Sequence, residues 1–201
     1  MKNSKQHILF ESFKLFLAKG YEKVSMNDLV TASGMSKGAF YHYFSSKEEL
    51  FLEAVKSHFF TGLPELTFTP SKECTIKENL LNLIEFKAKG FRQMLEMTGL
   101  KELNSGYFTL IFQAIEFFPD FRKSLLFAGS SEENMLEEIF DQAQKRGEIN
   151  SICKSIDLAK IYATMLDGME LHAVVGGDMA GLHEKEKEMT MKFIQLITSK
   201  D

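Results

Sequence analysis

The sequence predicts an all-α protein in which about nine helices form a small N-terminal domain and a larger C-terminal domain. Only three of the 201 residues are proline, so long helices can run without interruption. Apolar residues recur at helical spacing along most of the chain, and the alternation typical of strands does not stand out. A chain of this length can bury a sizeable core.

The first helix is predicted over residues 5–19, because Leu9, Phe13 and Phe16 fall on one face, and Gly20 ends it. After two short helices, which are described next, longer helices are predicted over 47–60, 77–97, 108–118, 131–146, 156–175 and 183–199. Pro64, Pro70 and Pro119 fall where helices should stop. The resulting division has an N-terminal domain over 1–47, a connecting helix over 48–60, a boundary loop over 61–71 and a second domain over 72–201.

The segment 25–50 predicts two short helices joined by a tight turn. Ser25 followed by Asp28 resembles a capping box, with Asp in place of the usual Glu or Gln. Gly34 can end the first helix in the left-handed conformation, and Ser36 can cap the second. This geometry is typical of a helix-turn-helix, whose second helix enters the major groove of DNA.

The second short helix has one apolar and one polar face. Phe40 and Phe44 are four residues apart and predict the buried face, while Lys37, Tyr41 and His42 point outward. The same pattern also fits two short helices of an ordinary bundle with a half-exposed rim, so the shape alone leaves both interpretations open.

A longer string of residues favours DNA binding. Residues 8–55 resemble the N-terminal domain of the TetR family of bacterial transcriptional regulators, over about a quarter of the chain. The matching residues are Ile8, Leu9, Phe16, Gly20, Tyr21, Ser25, Met26, Leu29, Ala32, Gly34, Met35, Ser36, Lys37, Gly38, Phe40, Tyr41, Tyr43, Phe44, Ser46, Lys47, Glu48, Glu49 and Leu50. The resemblance implies a helix-turn-helix domain followed by a helical domain that binds a small effector and forms a homodimer.

Several side chains of this segment are candidates for contact with DNA. They are Ser25, Ser36, Lys37, Gly38, Ala39, Tyr41, His42 and Lys47. Lys37 is the best candidate for a guanine contact, and Ala39 can meet a thymine methyl group. By the resemblance, Tyr41 donates to a phosphate and Ser25 lies beside the DNA backbone; Lys47 is placed to bind phosphate. Because the first 91 residues contain no Arg, the bidentate Arg–guanine contact is not available here.

The charge distribution agrees with a DNA-binding N-terminus. Residues 1–47 contain seven Lys and three acidic residues, a balance of +4, whereas the whole chain carries −4. The remaining residues therefore carry −8. A basic end on an acidic body concentrates attraction for phosphate at that end, although a chance asymmetry is the alternative.

The C-terminal part is rich in Phe and Met, which form adaptable apolar pockets. We therefore expect a largely apolar effector, with candidate contacts Phe86, Phe91, Met94, Phe108, Phe112, Tyr162 and Met165. The alternative is a Phe-rich core. The helix 108–118 is apolar nearly all round and should be buried. Its polar residues Gln113 and Glu116 could orient an effector or mark a solvent edge.

The helices 156–175 and 183–199 are the candidates for a homodimer interface. The first has a narrow polar stripe, so it needs more apolar cover than one small subunit supplies. The candidate interface residues are Leu158, Met169, Met189, Phe193 and Ile197. A four-helix interface from the last two helices is also what the resemblance implies.

Two classes of function remain. The first is a cytoplasmic, ligand-responsive regulator, most often a repressor, that binds a palindromic operator as a homodimer. The second is a helical enzyme or ligand-binding module without sequence-specific DNA binding. Against catalysis, the sequence shows no nucleophile–base pairing, no metal-ligand spacing and no phosphate-binding loop; no cofactor is expected. Cys74 and Cys153 make no metal-ligand pattern, and pairing or redox sensing stays open for them. No apolar run is long enough for a membrane span.

Overall fold

The computed structural model describes residues 2–59, 68–99, 105–149 and 152–198, and their secondary structure is entirely helical. The nine helices in these ranges are α1 (Lys2–Lys19), α2 (Met26–Ser33), α3 (Lys37–Tyr41), α4 (Lys47–Phe59), α5 (Ile76–Thr98), α6 (Ser105–Phe117), α7 (Pro119–Lys145), α8 (Ser155–Gly176) and α9 (Leu182–Thr198). The all-α prediction is confirmed. The predicted boundary loop over 61–71 lies largely outside the described residues.

The chain forms two compact units. The first unit comprises Met1–Glu65 and Asn104–Leu126, and the second comprises Leu66–Leu103 and Phe127–Asp201. Helix α6 therefore belongs to the first unit, where it packs against α1 and α4, although the sequence-based division placed it in the second domain. Helix α7 has residues in both units.

The core of the first unit is built from aromatic side chains. Phe13, Phe16 and Phe51 are fully buried, and the rings of Phe16 and Phe51 meet edge to face with centroids 5.0 Å apart. Tyr21 packs on Phe51 at 4.6 Å and on Phe117 at 5.4 Å. Burial of each large side chain of this kind contributes about 1.5–3 kcal/mol to the stability of the fold. The well-packed helices α1, α4 and α6 therefore form a stable base for the short helices α2 and α3.

Two glycines make the turns between the first helices. Gly20 ends α1 with φ 78°, and Gly34 follows α2 with φ 64°. A side chain is disfavoured at these left-handed positions, so both sequence-based assignments are confirmed.

The core of the second unit joins α5, α7, α8 and α9. It contains Leu80, Phe140, Leu158 and Phe193, among others. Tyr162 is fully buried at its centre, and its hydroxyl is 2.8 Å from that of Thr190, which provides the partner a buried phenol needs. Burial raises the pKa of Tyr162 to about 12.

Helix α7 begins twelve residues earlier than the predicted start at residue 131. Pro119 does end α6, but it is also the first residue of α7, where its fixed φ suits a helix and its missing N–H is not needed. Helix α6 is only partly buried. Leu110 and Ala114 are fully covered, whereas Phe112 is 61% exposed, so the prediction of a helix buried all round is wrong.

Candidate nucleic-acid interface

Helix α2 is fixed at its start by a complete capping box. The Ser25 Oγ accepts from the Asp28 N–H at 3.2 Å, and the Ser25 N–H donates to Asp28 Oδ2 at 2.9 Å. The Ser25 hydroxyl also donates to Asp28 Oδ2 at 2.5 Å, and these bonds lower the pKa of the Asp28 carboxyl. The capping prediction is confirmed. In this conformation the Ser25 hydroxyl proton is already used, so it is not available to a phosphate.

Helix α3 is held by its cap and by two buried rings. Ser36 Oγ accepts from the Ala39 N–H at 3.4 Å, and Phe40 and Phe44 are fully or almost fully buried, as predicted. The short helix therefore has a defined rotation about its axis, and the same residues are always turned outward.

The outward face of α3 carries the predicted DNA-contacting groups. Lys37, Gly38, Tyr41 and His42 are exposed, and Ala39 is half-buried. The Lys37 ammonium lies 6.0 Å from the centre of the Tyr41 ring. The ammonium of Lys37 and the phenol of Tyr41 thus lie together on one side of the helix, and the exposed His42 follows at its C-cap. The small residues Gly38 and Ala39 allow close approach of base edges.

Lys47, at the start of α4, has a structural contact that the sequence did not indicate. Its ammonium donates to the Tyr21 carbonyl oxygen at 3.2 Å and lies 4.2 Å from the centre of the Tyr21 ring. Burial and the nearby Glu48 carboxylate raise the pKa of Tyr21 to about 12. Because an ammonium has three donors, Lys47 can keep these contacts and still bind a phosphate.

Gln113 of α6 is half-buried and has a contact that the sequence did not indicate. Its Oε1 accepts from the Tyr21 N–H at 3.1 Å. This hydrogen bond connects α6 to the segment that leads into the helix-turn-helix, a contact between distant residues that periodicity cannot reveal.

The second unit contains a cavity of about 380 Å³. It lies between α5, the connection from α8 to α9, and the start of α9, and its lining includes Phe91, Leu95, Met179, His183 and Glu186. The sequence did not single out His183 or Glu186. The available signal was their i, i+3 spacing, which places both on one face of a helix.

The seven candidate effector residues are not brought together in this cavity. Only Phe91 lines it. Phe86 packs on Phe68, Met165 lies against the core, Met94 is half-buried in α5, and Tyr162 is fully buried, while Phe108 and Phe112 belong to α6 in the first unit.

The five candidate dimer residues are also divided. Leu158, Phe193 and Ile197 are covered by their own chain, Met169 lines a second cavity of about 310 Å³, and Met189 is exposed. The exposed apolar residues of α8 and α9 are Ile161, Leu171, Val175, Met189 and Leu196. Sequence periodicity could not tell which apolar face of these two helices the subunit's own core would use.

Within the described ranges, no cluster of three or more His, Cys, Asp or Glu side chains could hold a metal ion. Among the described helices, none is long and apolar enough to cross a membrane.

The helix-turn-helix segment is similar to a family of known proteins. A family model described as "Bacterial regulatory proteins, tetR family" matches residues 8–54, which include α2, α3, the C-terminal part of α1 and the N-terminal part of α4. The uncharacterized HTH-type transcriptional regulator YfiR of Bacillus subtilis is 25% identical over 191 residues, 92% of this chain and 90% of YfiR. The HTH-type transcriptional repressor ComR of Escherichia coli is 27% identical over 177 residues, 87% of this chain and 81% of ComR.

Solved structures agree with this fold over the full length. A transcriptional regulator from Saccharomonospora viridis, solved in complex with choline, superposes with a TM-score of 0.70 at 20% identity and covers 100% of both chains. The helix-turn-helix geometry, the family model and the relatives lead to one conclusion: residues 8–54 form a DNA-binding domain of the tetR family of bacterial regulatory proteins, and the chain is a DNA-binding transcriptional regulator.

Proposed function

We propose that this regulator is a ligand-responsive repressor that acts as a homodimer on a palindromic operator in the bacterial cytoplasm. The observation that carries the proposal is the exposure of Lys37 and Tyr41 on α3, and of His42 at its C-cap, on a helix whose rotation is fixed by its N-cap and its buried rings. Helices presented in this way read base edges in the major groove.

Individual roles follow from the chemistry of each group. Lys37 contacts a guanine, and the small Gly38 and Ala39 let the helix approach the groove, with Ala39 against a thymine methyl group. Tyr41 and Lys47 bind phosphates and set the register. His42 contacts a base or a phosphate, and Ser36 adds a contact beside its capping role. Ser25 supports the interface through its capping box rather than through its hydroxyl proton.

The homodimer is formed by α8 and α9 through their exposed apolar residues. Ile161, Leu171 and Val175 recur along α8 at a spacing that places them along one stripe, and Val175 is 81% exposed. On α9, Met189 and Leu196 are seven residues apart, and Leu196 is 78% exposed. Apolar surface of this extent on two adjacent helices is typical of a subunit interface.

A small effector binds in the second unit, in the cavity of about 380 Å³, which is in the size range of small-molecule sites. The structural neighbour from Saccharomonospora viridis was solved with choline, a small molecule. Within the first unit, the hydrogen bond from the Tyr21 N–H to Gln113 would pass a shift of α6 to the DNA-binding helices. An effector that favours one spacing of the two recognition helices would then change the affinity for the operator.

Selection from a random duplex library, followed by gel shift with the enriched sequence, tests this proposal. We expect a two-fold symmetric site whose half-sites are about one helical turn, or a multiple of it, apart. The exposed Lys145, whose ammonium pairs with Asp141 in the second unit, provides a control variant, Lys145→Ala, that should bind like the wild type. Failure to enrich any sequence at low salt would favour a ligand-binding module that does not recognise specific DNA.

A further inference from the structure

A buried carboxylate with one oxygen that has no hydrogen-bond partner borders the cavity of the second unit. Glu186 is only 3% exposed, and its Oε1 accepts no hydrogen bond from the described residues. The same side chain lines the cavity with Phe91, Leu95 and Met179. Burying an ionised carboxylate in such surroundings is strongly unfavourable unless a cation lies beside it. Without a cation, the carboxyl group tends to take up a proton and become neutral.

The nearby lysine is already paired with other carboxylates. The Lys87 ammonium lies 3.0 Å from Glu170 Oε1 and 3.7 Å from Glu132 Oε1. Together with Glu186, these residues come from α5, α7, α8 and α9 and form a group of three carboxylates around one ammonium. Burial opposes the charge on Lys87, but Glu170 and Glu132 outweigh it and raise the pKa of Lys87. The ammonium therefore stays charged, and the group has an excess of negative charge.

The lining of the cavity suits an organic cation. The ring of Phe91 provides an aromatic face, which attracts cations, and Leu95 and Met179 provide apolar cover. Arg92 and Glu184 also line the cavity, but both are exposed, where water screens their charges. Since the described residues contain no cluster that could hold a metal ion, a metal is not the cation this site fits.

We propose that this cavity binds an apolar organic cation, with Glu186 as its counter-ion and Phe91 as its aromatic wall. The inference rests on the proposed function, because it specifies the chemical class of the effector. It changes the expectation of a largely apolar effector in one respect, which is that the molecule must carry a positive charge.

Two probes of nearly equal shape test the role of charge. Benzyltrimethylammonium is a cation at every pH, and neopentylbenzene is its neutral isostere, with carbon in place of nitrogen. Isothermal titration calorimetry of the full chain with each probe should show at least about tenfold tighter binding of the cation.

Matched variants assign that preference to one carboxylate. Glu186→Gln keeps the shape of the side chain and removes its charge, so the preference for the cation should be lost. Glu184→Gln removes the same charge from the exposed rim and should keep the preference, since exposed charges contribute little. Circular dichroism and DNA binding of each variant show whether it is folded.

The pH dependence provides a second measurement. Burial raises the pKa of Glu186 to about 7; Lys87 of α5 opposes this shift and Glu170 of α8 adds to it. The other titratable groups around the site are Glu132 of α7, Asp167 of α8 and His183 of α9. A carboxyl group with this pKa is mostly protonated at pH 6 and mostly ionised at pH 8. Because the cation binds to the ionised form, the affinity of the wild-type protein for benzyltrimethylammonium should rise about tenfold over this range. The Glu186→Gln variant keeps His183 but lacks the carboxylate, so its affinity for the cation should not change between pH 6 and pH 8.

Equal affinity for the two probes, no binding of either, or a preference that survives in Glu186→Gln would overturn the inference. The test of cation binding can fail independently of the test of operator binding. A protein that binds its operator but not the cation would remain a regulator with a different ligand. A protein that binds the cation but no DNA would keep this site and lose the regulatory role.

Discussion

At the scale of single residues, the side chains that we propose to contact DNA divide into groups that read bases and groups that bind the backbone. Lys37 is exposed on α3, and its ammonium lies 6.0 Å from the centre of the Tyr41 ring. Because the side chain is exposed, it can reach a base edge. Lys37→Ala should cost about 1–3 kcal/mol of binding to the selected operator and relax base preference at one position per half-site. Fluorescence anisotropy with single-base variants of the operator measures both effects, and unchanged base preference would refute the assignment.

Lys47 should behave differently, because its proposed partner is a phosphate. Lys47→Ala should weaken binding to all duplexes alike and reduce the slope of log affinity against log salt by about one for each phosphate that is no longer neutralised. The variant also lacks the interaction with the Tyr21 ring, which should lower stability by about 0.5–1 kcal/mol. If affinity and salt slope both equal those of the wild type while stability falls, the role of Lys47 is structural only.

At the scale of elements, two glycines of the helix-turn-helix should respond in opposite ways to the same substitution. A Cβ at Gly34 or Gly38 would meet no other atom within 4 Å, but only Gly34 has a left-handed backbone. Gly34→Ala should therefore lower the free energy of unfolding by about 1 kcal/mol. Gly38→Ala should raise stability slightly, because alanine favours a helix, yet it adds a methyl group to the DNA-facing surface and should weaken operator binding.

Chemical denaturation and anisotropy of the two variants check this pair. Unchanged stability of Gly34→Ala would show that the turn tolerates a side chain at Gly34. Undiminished operator binding by Gly38→Ala would argue against close approach of α3 to the bases.

Local signals account for most of what the sequence could predict about the elements. Caps, turn glycines and apolar spacing act over a few residues, which is why α2, α3 and the long helices begin and end close to their predicted positions. The sequence does not predict the start of α7, because a proline that ends one helix can also begin the next. The placement of α6 in the first unit depends on contacts with α1 and α4 that no local pattern contains.

The candidate sites, too, are predicted well only where a local pattern determines them. Spacing on a short capped helix identified the exposed face of α3, because the cap and two buried rings determine its rotation. Most effector candidates were chosen by composition, and composition cannot distinguish a cavity wall such as Phe91 from a core residue such as Tyr162. The sequence does not predict the burial of Glu186, because that burial depends on four helices that pack together.

At the scale of the whole molecule, specificity for a long operator requires two recognition helices, and so a dimer. Leu196→Glu or Val175→Glu places charge on an exposed stripe and should give monomers with unchanged helical content and little operator binding. Leu158→Glu is the contrasting variant. Since Leu158 is 2% exposed within its own subunit, a charge there should unfold the second unit instead of only separating subunits.

Analytical ultracentrifugation and circular dichroism distinguish these outcomes. A wild-type protein that sediments as a monomer at micromolar concentration would contradict the dimer. A Leu196→Glu protein that remains a dimer and binds the operator normally would move the interface elsewhere.

The central claim is that α3 reads a specific DNA sequence, and the most direct measurement is the ratio of two affinities. Fluorescence anisotropy at physiological salt should compare the selected operator with a scrambled duplex of the same length and composition. The account predicts that the operator is bound at least about 10³-fold more tightly, as for other specific DNA-binding proteins. A ratio near one, with both duplexes bound through their phosphates alone, would contradict it.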